Sequence, residues 1–270
     1  MNKTVFSSKF EKFITTGILG GLSVIFCSLL LLTVPAAGLT ANAQHNGNTV
    51  IVLDPGHGGT DIGATYAPYV EKCMTLYMAF FAYQELSQYD NVEVYLTRWD
   101  DSDVSLAQRV AYASSVHADF LLSLHFNAAG SNGITSGSII LPSAFGSLYA
   151  QECSYGLLNL QQLSAIGLKS HGFMTRLGRT GKDYYGIIQR SAAIGLPAVI
   201  TEHCFLDSET DRKFLSQDNS YQLLAHADVT ALAQYLHLKS TALGVDYTNY
   251  PRPEIQEPAA GVPVMLTPIP

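Results

Sequence analysis

Two histidines lie just past runs that read as β-strands: His57 in VIVLDPGHGG (50–59) and His125 in FLLSLHFN (120–127). Glu71 opens a segment with helical spacing, and Glu202 closes another strand-like run, PAVITE (197–202). Two imidazoles and two carboxylates suffice for a catalytic zinc site built from three protein ligands and one general base. In such a site the fourth metal position holds water, whose pKa falls to about 7. Glu202 is the candidate base, and later the proton donor to a leaving amine. Taken singly, each residue has an ordinary explanation. A histidine after a strand caps a loop, Glu71 in a first helical turn favours the helix dipole, and a glutamate at a strand end is solvated. What sets these four apart is that one edge of one sheet can bring them all together.

The elements that must do this are visible in the pattern. Residues 49–54, 92–97, 118–125, 137–141 and 197–202 are short, rich in Val, Ile and Leu, and bounded by turn residues. Near-continuous apolar runs of that length are the mark of central parallel strands. Between them Val70, Met74, Tyr77, Met78 and Phe81 recur at helical steps, as do Leu106, Val110 and Ala113, and then Leu223, Leu224, Ala227 and Ala231. A further helix is expected within 143–170, ending near Gly167. The alternation predicts an α/β fold: a single domain with a twisted, mostly parallel sheet flanked by helices on both faces. In such sheets ligands bind beyond the carboxyl ends of the strands, where His57, His125 and Glu202 fall and where the βα loop delivers Glu71. Gly56, Gly58 and Gly59 free the loop around His57 to bend. Asp54 is placed either to accept from a ligand histidine's ring or to tie that loop down, and Asn127 either to orient a ligand or to touch substrate. His203 follows Glu202, and successive strand side chains point to opposite faces, so it is not expected to share the metal. His117, His171, His226 and His237 lack comparable contexts.

Three domains of composition divide the chain. Lys3, Lys9 and Lys12 precede an apolar stretch (13–39), and Ala41-Asn42-Ala43 follows, so residues 1–43 read as a signal peptide, with membrane anchoring through 13–39 as the competing reading. Residues 44–240 are the catalytic domain, and the Pro-rich stretch 241–270 is expected to be an extended or disordered tail without a core of its own. The protein is therefore expected to be exported. Formal charge is −7 for the whole chain and −9 once residues 1–43 are set aside. An acidic domain argues against a nucleic-acid partner and offers no attraction to an anionic membrane surface. Cys73, Cys153 and Cys204 are an odd number without CxxC spacing and read as separate thiols rather than a disulfide framework.

The succession LDPGHGGTDIGA (53–64), VEK (70–72), LTR (96–98), SLAQRVAYA (105–113), ADFLLSLHFNA (118–128) and PAVITEHCFLD (197–207) resembles the zinc-dependent N-acetylmuramoyl-L-alanine amidases, bacterial cell-wall hydrolases. The resemblance runs from about Val50 to Leu238. It implies zinc (Zn2+) held by His57, Glu71 and His125, Glu202 as catalytic base, and peptidoglycan as the partner, cut between the lactyl group of N-acetylmuramic acid and L-alanine. It also covers Arg98 and Arg109, for which buried pairing and substrate contact are both open. The chain departs from the family at Cys204, where glycine is usual, and at Ser208, where asparagine is common and Asp207 is a possible substitute. A cysteine there could be a ligand or a redox-sensitive thiol. No cell-wall-binding repeat or protein activator is legible. The alternatives are a zinc peptidase cutting another muropeptide bond, or a catalytically silent peptidoglycan-binding protein.

Overall fold

Thr49–Pro55 is apolar at almost every position, and such a run belongs where both faces of a strand are covered. The computed structural model describes residues 47–130 and 135–268, all within one compact unit. Its strands, in chain order, are β1 (Thr49–Pro55), β2 (Thr65–Tyr66), β3 (Tyr69–Val70), β4 (Val92–Leu96), β5 (Phe120–Asn127), β6 (Ser138–Leu141), β7 (Ser170–Phe173), β8 (Ala198–Phe205), β9 (Lys239–Ser240) and β10 (Val245–Asp246). The helices are α1 (Glu71–Leu86), α2 (Leu106–Ser115), α3 (Gly146–Ala165), α4 (Gly186–Ala192), α5 (Glu209–Leu215) and α6 (Ser220–Tyr235). Six strands form the central sheet in the order β4-β1-β5-β8-β6-β7. The pairs β4–β1, β1–β5 and β5–β8 are parallel, and only the β8–β6 pairing is antiparallel.

The period of two along each strand sorts the core into two layers. Ile51, Leu53, Phe120 and Leu122 face Met74 and Met78 of α1, Tyr155 and Leu158 of α3, and Leu224 and Leu232 of α6. Val52, Leu121 and Ile200 face the other way, onto Val110 and Ala113 of α2 and Ile187 and Ile188 of α4. Helices therefore cover both faces, as the alternating pattern predicts. α2 starts where its sequence says it should: Ser105 and Gln108 form a reciprocal capping box.

Seven elements are absent from the sequence reading: the two-residue strands β2, β3, β9 and β10, and β7, α4 and α5. β7 is a four-residue edge strand, SHGF, with no β-branched residue, and α4 and α5 are each seven residues long, too short to display a helical period. The tail needs a correction. Beyond β10 it is extended, as its prolines require, but through residue 268 it is a strap held against the domain rather than a disordered segment. Tyr247 and Tyr250 pack on the larger core. Ser154 Oγ donates to the Pro253 carbonyl at 2.7 Å, Val264 N to Ala144 O at 2.9 Å and Thr175 N to Leu266 O at 3.1 Å. Proline forbids helix and central strand, yet leaves carbonyls and tyrosine rings free to find neighbours. Residues 1–43, expected to be a leader or anchor, lie outside the described residues. Among the described residues no helix is long and apolar enough to cross a membrane.

Candidate metal centre and general base

The loop after β1 carries its carbonyl oxygens inward, and buried arginines meet them. Arg109 donates to the carbonyls of Pro55 (2.7 Å) and His57 (2.7 Å), and Arg98 to those of Pro55 (3.0 Å) and Gly56 (2.9 Å). Thr75 Oγ1 adds a bond to the Gly56 carbonyl at 2.8 Å, and Lys72 Nζ one to the Gly59 carbonyl, also 2.8 Å. The charge of Arg109 is matched by Asp54 at 2.8 Å, with side chains only 4% and 1% exposed. Asp54 also accepts from Thr97 and Ser123. Burial opposes its ionisation, but the Arg109 charge and these hydrogen bonds hold its pKa below the usual carboxylate value. Of the two roles open to Asp54, the geometry shows the second: it ties the loop down. Arg98 and Arg109 are likewise structural, clamping the loop that presents His57.

Held this way, His57 adopts φ +62°, a left-handed conformation that costs a residue with a side chain roughly 1–2 kcal/mol. Its Nε2 lies 3.1 Å from Glu71 Oε2, and its Nδ1 lies 2.9 Å from Asp61 Oδ2. Asp61 has no role in the sequence reading, although an acid four residues after a histidine inside a glycine loop is the signal that points to it. The His57–Asp61 pair meets at ion-pair distance without hydrogen-bond geometry, so Asp61 bears on the ring through its charge and leaves Nε2 on the side of Glu71. Glu71, first residue of α1, turns its second oxygen to His125: Oε1 is 3.0 Å from Nδ1. One donor atom from each of His57, Glu71 and His125 falls within 4.8 Å of the others, so these three could hold a metal ion. The close approach depends on two glycines. A Cβ on Gly56 would come within 2.3 Å of the His125 ring, and one on Gly63 (φ +67°) within 2.5 Å of Glu71 Oε2.

Glu202 is the direct register partner of His125 on the neighbouring parallel strand, so the two side chains share a face. Its Oε2 is buried without a hydrogen-bond partner among the described residues. Burial pushes its pKa up to about 7; Glu71 adds to this, and the imidazoles of His125, His203 and His57 partly oppose it. Burial disfavours protonated imidazole, but the hydrogen bonds and charge of Glu71 win, raising the pKa of both His57 and His125. Glu71 itself is held well below the carboxylate range, its burial overcome by hydrogen bonds from the same two rings. A bare cluster of this kind keeps protons that a metal must displace.

His203 points away from the cluster, as strand alternation requires. Cys204 is packed in the apolar core, where burial drives its thiol pKa well up, far from thiolate reactivity. All three cysteines among the described residues are free thiols. Asn127 turns its side chain back onto the amide of Ala128, and its carbonyl accepts from Leu206 N. Ser208 caps α5, while Asp207 accepts from the amides of Ala129 and Gly130, so the two residues divide between them a cap and a loop anchor.

Known proteins match along this same stretch. A family model described as N-acetylmuramoyl-L-alanine amidase matches residues 51–234. The chain is 33% identical over 194 residues to the N-acetylmuramoyl-L-alanine amidase CwlM of Bacillus licheniformis, covering 71% of this chain and 70% of that protein. It is 31% identical over 193 residues to the sporulation-specific N-acetylmuramoyl-L-alanine amidase of Bacillus subtilis (strain 168), again covering 71% and 70%. Among solved structures, the catalytic domain of CwlV, an N-acetylmuramoyl-L-alanine amidase from Bacillus (Paenibacillus) polymyxa var. colistinus, superposes with a TM-score of 0.60 at 27% identity, covering 71% of this chain and 99% of that one. With its sheet, its loop clamp and its motif series all falling inside the matched span, the chain belongs to the N-acetylmuramoyl-L-alanine amidase family of peptidoglycan-hydrolysing enzymes.

Proposed function

We propose that the protein is a zinc-dependent amidase in which His57, Glu71 and His125 hold the ion and Glu202 is the general base. The observation that carries this reading is the convergence of those three donors within 4.8 Å beside a buried, unpartnered carboxylate oxygen of Glu202. Two imidazoles and one carboxylate are a donor set that zinc accepts in catalytic sites, and Gly56 and Gly63 leave space where a Cβ would intrude. When bound, zinc supplies Lewis-acid polarisation of a carbonyl and makes hydroxide accessible near neutral pH.

The chain's own residues do the rest. Glu202, poised near neutrality, takes the proton of the attacking water as its oxygen bonds to the lactyl carbonyl carbon of N-acetylmuramic acid. It then returns that proton to the nitrogen of L-alanine as the C–N bond breaks, leaving a free lactyl carboxylate and a free amine. Asp61 steadies the His57 ring, and the Arg98–Arg109 clamp keeps the loop from relaxing out of its left-handed turn. The reading places the enzyme outside the cytoplasm, where its polymer substrate lies, with the apolar stretch 13–39 as leader or anchor.

The test is digestion of purified peptidoglycan by the full chain, with zinc and with chelator, followed by mass analysis. Stem peptides with a free L-alanine amine, released only with zinc, are expected. Cleavage at another bond would make it a peptidase. Intact polymer despite bound zinc would point to a missing activator or a binding role. Full activity of His125→Ala with stoichiometric zinc would require a different ligand set.

A further inference from the structure

The peptide unit joining His125 to Phe126 is gripped at both ends. Its N–H donates to Glu71 Oε1 at 2.9 Å, and its carbonyl oxygen accepts from His203 Nδ1 at 3.0 Å. Glu71 Oε1 also faces the His125 ring, so this single peptide links two of the candidate metal ligands. It lies where the β5–β8 register slips, between the His125–Glu202 pair and the Asn127–Phe205 pair. A slip of this kind re-aims side chains next to functional sites and interrupts the ladder that would otherwise fix the backbone.

What holds the far end is wholly buried. His203 and Asp228 are both 0% exposed, and His203 Nε2 lies 2.9 Å from Asp228 Oδ2. Asp228 Oδ1 accepts from Asn159 Nδ2 at 2.8 Å, and Asn159 Oδ1 accepts from Thr201 Oγ1 at 3.2 Å. Both histidine nitrogens thus donate, one to a carbonyl and one to a carboxylate. The bonds run from α3 and α6, through β8, to the peptide beneath the metal centre. Linked donors and acceptors in a low-dielectric interior reinforce one another and rigidify what they hold.

We propose that His203, braced by Asp228, is a positioning residue of the metal centre. It fixes the His125–Phe126 peptide at the register slip, and through that peptide sets where Glu71 and His125 place their donor atoms. The inference rests on the zinc reading above. It differs from a purely structural role in one respect. A buried pair that only fills space can be exchanged for apolar residues at little loss, whereas a positioning pair cannot be exchanged without loss of metal affinity.

The test compares the full wild-type chain with His203→Leu/Asp228→Leu and with Asp228→Asn. Zinc affinity is read by competition with a chelator, and metal-free thermal unfolding is read separately. The double variant leaves the His125 carbonyl and Asn159 Nδ2 without their partners, so its metal-free midpoint should fall, and it should bind zinc about 10- to 100-fold more weakly, the usual cost of losing an outer support of a ligand. If the double variant does not fold, Asp228→Asn decides, because it keeps volume and shape; it should weaken zinc several-fold. Wild-type zinc affinity in either variant overturns the proposal. Failure of the wild-type chain to bind one zinc would instead defeat the zinc reading itself.

Discussion

Asp54→Asn is the sharpest probe of the loop clamp. The carboxylate sits among donors alone: Arg109 Nη1 at 2.8 Å, Thr97 Oγ1 at 2.5 Å and Ser123 Oγ at 2.7 Å. An amide of the same shape keeps one acceptor but turns an NH2 toward those donors, and it leaves the Arg109 charge uncompensated in a buried site. Breaking a buried pair from one side costs about 3–5 kcal/mol. In a domain of this size each kcal/mol moves the unfolding midpoint by about 2–4 °C, so the variant should melt roughly 6–20 °C lower at pH 7. The pH dependence follows from the direction of the shift. Because the folded-state pKa is depressed, the unfolded chain binds more protons in the window between the two values. The stabilisation is thus complete above the unfolded pKa, about 4, and is lost as pH falls through the folded one. Thermal melts with chelator present, from pH 7 down to pH 3, should show the gap between wild type and variant constant above about pH 5 and narrowing below it. A midpoint within about 2 °C of wild type at pH 7 would refute the claim that this pair holds the loop.

Three further expectations follow. Glu202→Gln should retain stoichiometric zinc while turnover drops by at least about 100-fold, the usual contribution of a general base; near-normal turnover would remove Glu202 from that role. Gly63→Ala should fold but bind zinc far more weakly, because its Cβ would sit 2.5 Å from Glu71 Oε2 at a φ of +67°; metal analysis showing full occupancy would contradict the packing argument. Deleting residues 247–270 should lower the melting midpoint by about 4–8 °C, since two half-buried tyrosines contribute roughly 1 kcal/mol each; an unchanged midpoint would restore the disordered reading of the tail.

The local sequence alone carried the central strands and long helices, because apolar runs and helical spacing report burial directly. It also carried the four polar residues that strand ends (His57, His125, Glu202) and a first helical turn (Glu71) send to one rim. Tertiary structure alone decided what those residues touch. No pattern along the chain says that Arg98 and Arg109 reach back to the carbonyls around His57, that Asp61 bears on the His57 ring, or that Asp228, 25 residues past His203, pairs with it behind the His57–Glu71–His125 cluster. Each contact joins groups whose types are unremarkable singly, and only burial makes their pairing obligatory. The tail shows the same limit: proline content fixes local conformation, not whether a neighbouring surface offers hydrogen-bond partners. Periodicity is written into the chain one residue at a time, whereas electrostatic and hydrogen-bond complementarity exists only between surfaces that folding brings together.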